Sequence, residues 1–457
     1  MRRRPAAELP PLGAAERARK DEAVSVSVGP LRPGERSVVN AVVHGSGQTL
    51  GAVAAAKVAA AAGSALSHRL PLVVWLSSAG PSPDDDVGAL DGWGRVASAF
   101  ARCSGVVPVV CVVDGPLLSG PALLLGMADA VVMTTRSLVY VSGPAAVAQM
   151  TGVTVQPEEL GGQYVHLARS GTATFAAGDA DEAREVAAAF LSYLPSHADE
   201  LPPFLLCGDP PERPTPELRE VVPDRPTGSY DVRSVITAVA DNGHLLELRP
   251  AWAPQLVTAL ARVGGLAVGV LANQPQSLSG TLDIAASQKG ARFVSMCDCF
   301  NLPVLTLVDT SGFMPGKDLE WRGIIRHGAE LVFAYAEATV PRICLVLRKA
   351  YGGAYIVMDS KAMGNDICLA WPSAELAVMG AEGAVSILHR RASPEERARL
   401  VEEYEHKFLN PYVAAERGYV DAVIDPADTR REVSRWLLVL QSKREALAPR
   451  RHGNSPL

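Results

Sequence analysis

Twice along this chain a β-prone run ends in a glycine-bearing turn and passes into a stretch of small residues. Residues 109–113 lead to Ser119-Gly120, and residues 343–347 lead to Gly352-Gly353. Around the first turn, β-prone runs at 37–43, 71–76, 107–113, 130–133 and 138–141 alternate with helical, Ala-rich stretches at 52–66 and 87–103 and a short segment at 122–127. Around the second, strands are expected at 266–273, 304–308 and 342–347, and helices at 285–300 and 324–338. Apolar strands alternating with helices are the signature of right-handed β-α-β units whose sheet is covered on both faces. The sequence therefore predicts two copies of one α/β fold, each carrying one such turn.

A chain of 457 residues exceeds the size at which a single core stops growing, which agrees with more than one domain. Between residues 201 and 230 the composition shifts to Pro and charge, with Pro202, Pro203, Pro210, Pro211, Pro214, Pro216, Pro223 and Pro226 favouring extended backbone. The expected divisions are a loosely held arm at 1–35, a first domain at 36–225 and a second at 226–457.

The formal net charge of -6 lacks the basic footprint of a general nucleic-acid binder. Seven scattered cysteines, none in a C-x-x-C pair, read as reduced and cytoplasmic, with Cys297 and Cys299 as small packed positions on one helix. The most apolar region, 106–133, is interrupted by Asp114, Gly115, Pro116, Ser119 and Pro121, so no membrane span is expected. The basic start, Met1-Arg-Arg-Arg-Pro, is not followed by an apolar signal region.

The strongest local signal is Arg348-Lys-Ala-Tyr-Gly352-Gly353-Ala354-Tyr355. Glycine at a strand-to-helix turn leaves backbone N–H groups exposed to a developing negative charge, which is what an oxyanion hole needs. An isolated Gly-Gly-Ala is more often a turn chosen for packing. The equivalent run in the first half, Gly115-Pro-Leu-Leu-Ser119-Gly120-Pro121-Ala122, is weaker alone because Pro121 has no N–H. No G-x-S-x-G elbow, H-E-x-x-H pair or G-x-x-x-x-G-K-[ST] loop occurs. His327 lies among apolar helix positions, as a structural histidine does, and Asp84-Asp85-Asp86 reads as a solvated loop rather than a metal site. An enzyme built from these residues would depend on backbone electrostatics and a cofactor.

The second half closely resembles the C-domain of the carboxyltransferase (β) subunits of acetyl-CoA and propionyl-CoA carboxylases. The likeness runs through Val270-Leu-Ala-Asn-Gln-Pro275, Gly280-x-Leu-Asp283, Lys289-Gly-Ala-Arg292-Phe-Val, Leu307-Val-Asp309-x-x-Gly-Phe-x-Pro-Gly316 and Ile324-Ile-Arg-His327-Gly-Ala. It continues through Arg348 to Tyr355, Ala370-Trp-Pro372, Met379-Gly-Ala-Glu-Gly-Ala-Val, Asn410-Pro-Tyr, Gly418-Tyr-Val-Asp421 and the final Arg450-Arg-His-Gly-Asn-Ser-Pro-Leu. The first half matches the family N-domain at Thr49-Leu-Gly51, Ser142-Gly143-Pro144, Glu158-Glu-Leu-Gly161-Gly162, His166, Ser170-Gly171 and Leu191-Ser-Tyr-Leu-Pro-Ser196.

The resemblance implies two tandem crotonase-like (ClpP/crotonase) α/β domains. It implies a site formed by the N-domain of one subunit and the C-domain of another, hence a homo-oligomer, a hexamer as in the family, or an assembly with a β paralogue. Carboxybiotin on a partner subunit releases CO2 there, and the α-carbon of an acyl-CoA captures it. By the same resemblance Gly353 and Ala354 donate N–H groups to the biotin ureido oxygen, and Gly120, with Ser119 in the same turn, faces the thioester oxygen. Ser78, Ala79, Gly80, Gly143, Pro144, Tyr355 and Ile356 line the substrate, with Ile356 at the position that helps set the acyl chain, where an aliphatic residue resembles acetyl-type enzymes.

Two stretches depart from the family. Ser77-Ser78-Ala79-Gly80-Pro81 stands for Ser-Gly-Gly-Ala-Arg, and Leu118-Ser119-Gly120-Pro121 for Ala-Gly-Gly-Ala. Both fall on the acyl-CoA side, and the usual N-terminal helical segment is shortened. The sequence carries no Met-Lys-Met biotinylation site and no ATP-grasp loop, so a biotin carboxylase and carrier partner is implied; it has no four-cysteine zinc ribbon and no expected metal. Three readings follow: an active acyl-CoA carboxyltransferase, a half-active subunit assembling with an intact paralogue, and a decarboxylase or transcarboxylase using the same half-reactions.

Overall fold

Strand β1 (Val24–Pro30) pairs antiparallel with β2 (Ser37–Val43), so the stretch read as a loose arm contributes an edge strand. In the computed structural model the described residues are 24–44, 50–80, 86–223, 225, 228–443 and 445–456. The basic start, Thr49, Pro81 and the carboxylates of Asp84 and Asp85 lie outside them. From β2 the first sheet continues through β3 (Leu72–Ser78), β4 (Val109–Leu118) and β5 (Ala130–Thr134) to β7 (Phe175–Ala177), while β6 (Leu138–Tyr140) pairs only with the end of β4. All pairings after β1 are parallel. Along β4 and β5 nearly every side chain is buried, as a sheet covered on both faces requires.

The helix Ala52–His68 buries Ala54, Ala55, Val58, Ala61, Ala62 and Ala65, a stripe at helical spacing. Its small residues let the helix Asp86–Cys103 approach closely: a Cβ on Gly92 would stand 3.2 Å from the Ala55 Cβ. Alanine was thus read correctly as helical, and it serves packing.

The second sheet runs β15 (Ala422–Val423), β13 (Ile367–Ala370), β12 (Arg342–Tyr351), β11 (Val304–Thr310), β10 (Leu266–Asn273), β9 (Leu256–Val263) and β8 (Leu245–Leu248), with β14 (Glu375–Ala377) on the end of β12. β8, β9 and β10 pair antiparallel and the rest parallel. The helices Ile284–Cys299 and Ile324–Glu337 pack on each other. Cys297 is buried on the first of these but Cys299 is exposed, since a two-residue step on a helix turns about 200° to the opposite face; the pair is not jointly packed.

β4 and β12 behave alike. Val110 to Val113 pair with β5 and Pro116 to Leu118 with β6; Ile343 to Val346 pair with β13 and Lys349 to Tyr351 with β14. In each half the long strand changes neighbour, and its terminal turn leaves beside the short added strand.

The chain divides into two compact units between Ala189 and Phe190, within the helix Ala180–Tyr193, upstream of the proline-rich stretch. The division expected at 225/226 differs because that stretch is fastened to the second unit. The Leu205 N–H donates to the Gly265 carbonyl at 3.0 Å, the Thr215 N–H donates to the Ala427 carbonyl at 2.8 Å, and Arg219 pairs with Asp425 at 2.6 Å. Among the described residues no helix is long and apolar enough to cross a membrane.

Candidate functional site

In the first unit, three loops leave the C-terminal ends of β3, β4 and β6 side by side, because Ser78 is in register with Leu117 and Leu118 with Tyr140. The Ser119 N–H extends this pairing to the Tyr140 carbonyl at 2.9 Å. Ser119 itself has φ 66° and ψ -146°, a backbone state that side chains disfavour strongly. Gly120 then opens the 3₁₀ helix Gly120–Met127, with Pro121 next.

Gly120 must be glycine: a Cβ there would lie 2.7 Å from Cε2 and Nε1 of Trp93. On the other side, Gly80 has φ 95° and faces Leu118 and Ser119, whose Cβ atoms would be 3.7 and 3.8 Å from a Cβ on it. Ser78 is 1% exposed, and its hydroxyl oxygen accepts from the N–H groups of Leu50 and Gly80, both at 3.3 Å. It fixes the Gly80 loop from within. Gly143 caps the helix Pro144–Thr151 and packs on the Tyr140 ring.

The structure thus brings Ser78, Ala79, Gly80, Ser119, Gly120, Gly143 and Pro144 to one end of the first sheet. Of the flanking residues, Gly161 lies where a Cβ would be 2.1 Å from the Val139 carbonyl, and an imidazole nitrogen of His166 pairs with the same carbonyl at 2.8 Å. Both hold β6 in place.

In the second unit, β12 ends at Tyr351, Gly352 follows with φ 60°, and the helix Gly352–Val357 begins. The N–H groups of Gly353 and Ala354 belong to its first turn and have no acceptor among the described residues. Around Gly353 there is room: a Cβ would meet only the Phe313 ring, at 3.9 Å. The end of β12 is held by a buried pair, Arg348 Nε to Asp309 Oδ2 at 3.0 Å, and the Lys349 N–H donates to Asp309 at 3.2 Å. Burial pushes the Asp309 carboxyl up and the Arg348 guanidinium opposes this.

A cavity of about 620 Å³ opens beside this turn, lined by Gly352, Gly353, Tyr355, Ile356, Val378 and Phe408 among others. Tyr355 keeps its proton, since burial pushes its phenol far up. His327 binds Glu330 at 2.7 Å and Gln288 at 3.2 Å, as a structural histidine does. Among the described residues no group of His, Cys, Asp or Glu is placed to hold a metal ion.

The carboxyl transferase domain model matches residues 12–455. The chain belongs to the carboxyltransferase family of biotin-dependent acyl-CoA carboxylases. It is 45% identical to the propionyl-CoA carboxylase beta chain of Saccharopolyspora erythraea over 430 residues, 90% of this chain and 79% of that one. It is 41% identical to the methylmalonyl-CoA decarboxylase subunit alpha of Veillonella parvula, over 90% of this chain and 81% of that one. The crystal structure of a transcarboxylase 12S hexamer with methylmalonyl-coenzyme A bound superposes with a TM-score of 0.91 at 41% identity, covering 95% of this chain and 85% of that chain. The two units are tandem crotonase-like domains.

Sequence reading missed Trp93 and the support given by Phe313. The glycine beside Trp93, Gly92, marks a close approach to Leu50 and Ala55, so nothing local names Gly120 as the neighbour of the Trp93 ring.

Proposed function

We propose that this chain transfers a carboxyl group from carboxybiotin, carried on a partner protein, to the α-carbon of an acyl-CoA. The observation that carries the reading is the pair of unengaged N–H groups on the exposed Gly353 and the buried Ala354, at the start of a helix beside an apolar cavity that Gly353 lines, in a chain matched by the family over nearly its whole length. Two convergent N–H groups with no side chain on Gly353 fit a flat urea carbonyl, and the apolar cavity fits a sulfur-containing bicycle. When bound, carboxybiotin supplies the CO2 and the base for the α-proton.

The chain's own residues position and stabilise charge. Gly353 and Ala354 donate to the ureido oxygen, the Asp309–Arg348 pair fixes the strand that presents them, and Gly120 donates to the thioester oxygen as it becomes an enolate. Ile356 stands 40% exposed at the cavity, where it limits what can lie against the turn. The family implies a hexamer of this chain, which sedimentation of the purified protein tests.

A second reading has its own observation. Ser119 is held in a glycine-type conformation and Pro121 has no N–H, so the first-half turn offers one backbone donor where the second-half turn offers two. A subunit that works only with an intact paralogue would show this. The experiment is carboxyl transfer from a carboxybiotinylated carrier to a panel of thioesters, with the purified chain alone and with a paralogue added. Turnover by the chain alone supports the enzyme; turnover only in the mixture supports the half-active subunit. Removal of the carboxyl group from a carboxylated thioester onto uncharged biotinylated carrier, without net carboxylation in the forward assay, would support a decarboxylase or transcarboxylase.

A further inference from the structure

We propose that the hydroxyl of Ser119 is the second oxyanion donor of the first-half turn, standing in for the N–H that Pro121 lacks. This rests on reading that turn as the thioester site.

The two turns are equivalent by strand register, so Ser119, Gly120 and Pro121 correspond to Gly352, Gly353 and Ala354. In the second half the donors are the N–H groups of the second and third residues. In the first half the third residue is proline, and one backbone donor is gone. The same turn has gained a hydroxyl. The Ser119 hydroxyl has no hydrogen-bond partner among the described residues, and neither has the Gly120 N–H. The Ser119 N–H is already committed to Tyr140, so it is the side chain that is available.

Position supports the assignment. The Ser119 Cβ lies on the side of Gly80, within 3.8 Å of where a Cβ on that glycine would stand, and the Gly80 loop is the other wall of the site. Trp93 backs Gly120 from its own helix, so the turn cannot relax away from the loop. The backbone of Ser119 is a further argument. At φ 66° and ψ -146° glycine is the residue that fits without strain, and a serine is retained there against that preference. A hydroxyl that does work in the transition state accounts for its retention.

The test uses the full chain with its carrier and propionyl-CoA, and as a probe a nitroalkyl-CoA thioether whose nitronate form mimics the enolate. Ser119→Ala removes the hydroxyl and keeps the Cβ. It should lower kcat about 10²-fold with KM nearly unchanged, and weaken nitronate binding by a similar factor. Ser119→Gly should lower kcat as much while raising the melting temperature, opposite movements that a merely structural serine would not give. Ser119→Gly with Pro121→Ala returns a backbone donor and should recover the rate.

A Ser119→Ala protein with wild-type kcat and wild-type nitronate affinity overturns the assignment and leaves the carboxyltransferase reading intact. A wild-type protein that neither turns over propionyl-CoA, alone or with a paralogue, nor binds the nitronate overturns both.

Discussion

Ser119 and Gly352 hold the same place in the two halves of the chain: each follows the tenth residue of its strand, and their φ angles are 66° and 60°. Only one of them is the residue that such a backbone suits. The comparison within one molecule separates what the turn geometry demands from what this chain has added to it.

Stability should report that strain. A non-glycine residue in this region costs about 1–3 kcal/mol, and glycine gives back about 0.5–1 kcal/mol through its freer unfolded chain. Ser119→Gly is therefore expected to stabilise the first unit by about 1 kcal/mol, read as a higher urea midpoint. Gly352→Ala should move the second unit the other way. A lower midpoint for Ser119→Gly would show that the serine side chain holds the turn together.

The second-half turn can be tested by borrowing the first half's proline. Pro121 shows that a proline is accommodated at the third position of such a turn, so Ala354→Pro is expected to fold. It deletes one of two donors. Loss of one oxyanion-hole donor typically lowers the rate about 10²–10³-fold. Measured with carboxybiotinylated carrier and a thioester that the native chain uses, an unchanged rate in folded Ala354→Pro would remove Ala354 from the site.

Much of this arrangement could be read from the residues. Strands and helices were legible because apolar runs and Ala-rich stripes follow period and length rules that tertiary context did not override, as in β4 and the helix Ala52–His68. The two turns were legible because glycine and proline act locally. What could not be read depends on partners distant in sequence. Nothing about 201–230 says that its extended backbone fastens to Gly265 and Ala427, and nothing about Val24–Pro30 names β2 as its neighbour. Nor does the motif that contains Ser78 say that its hydroxyl turns inward to Leu50 and Gly80.

The Asp309–Arg348 pair should be expensive to break. Both side chains are almost wholly buried, and Arg348 also donates to the Gly228 carbonyl at 2.7 Å. Removing one partner of a buried pair leaves an uncompensated charge and costs about 3–5 kcal/mol. Asp309→Ala should lower the stability of the second unit by about that amount, measured by urea unfolding. A loss below about 1 kcal/mol would mean that water or another acceptor reaches Arg348.

Lys289 predicts a different kind of loss. Its ammonium donates to the carbonyls of Arg249, Trp252 and Ala253 at 2.9, 2.9 and 3.3 Å, closing a turn in which Arg249 and Ala253 have φ of 52° and 47°. Burial pushes the amine down to about 7, while three carbonyl acceptors suit three ammonium protons. Lys289→Met keeps the apolar stem and leaves the carbonyls unmet, so destabilisation on the order of 3 kcal/mol is expected. The urea midpoint of Lys289→Met measures it, and a wild-type midpoint would show that the turn stands without the lysine.

Asp359 gives the second unit a dependence on pH whose sign follows from its surroundings. It is fully buried just beyond the helix Gly352–Val357, paired with Arg342, with Asp366 and Lys443 also facing it. Burial pushes its carboxyl from 3.8 to about 7; Arg342 and Lys443 oppose the shift and Asp366 adds to it. In the unfolded chain the carboxyl loses its proton near pH 4, whereas in the folded chain it keeps the proton until about pH 7. Between those values the folded state binds more protons than the unfolded state, so stability falls as pH rises. Below the window both states are protonated and above it both are ionised, so the contribution is flat outside. Asp359→Asn cannot titrate and should lose this slope, whatever its absolute stability. Urea unfolding of both proteins at intervals from pH 4 to pH 8 gives the difference directly. A native-minus-variant curve that is flat, or that rises with pH across this window, would show that Arg342 holds the carboxylate ionised throughout.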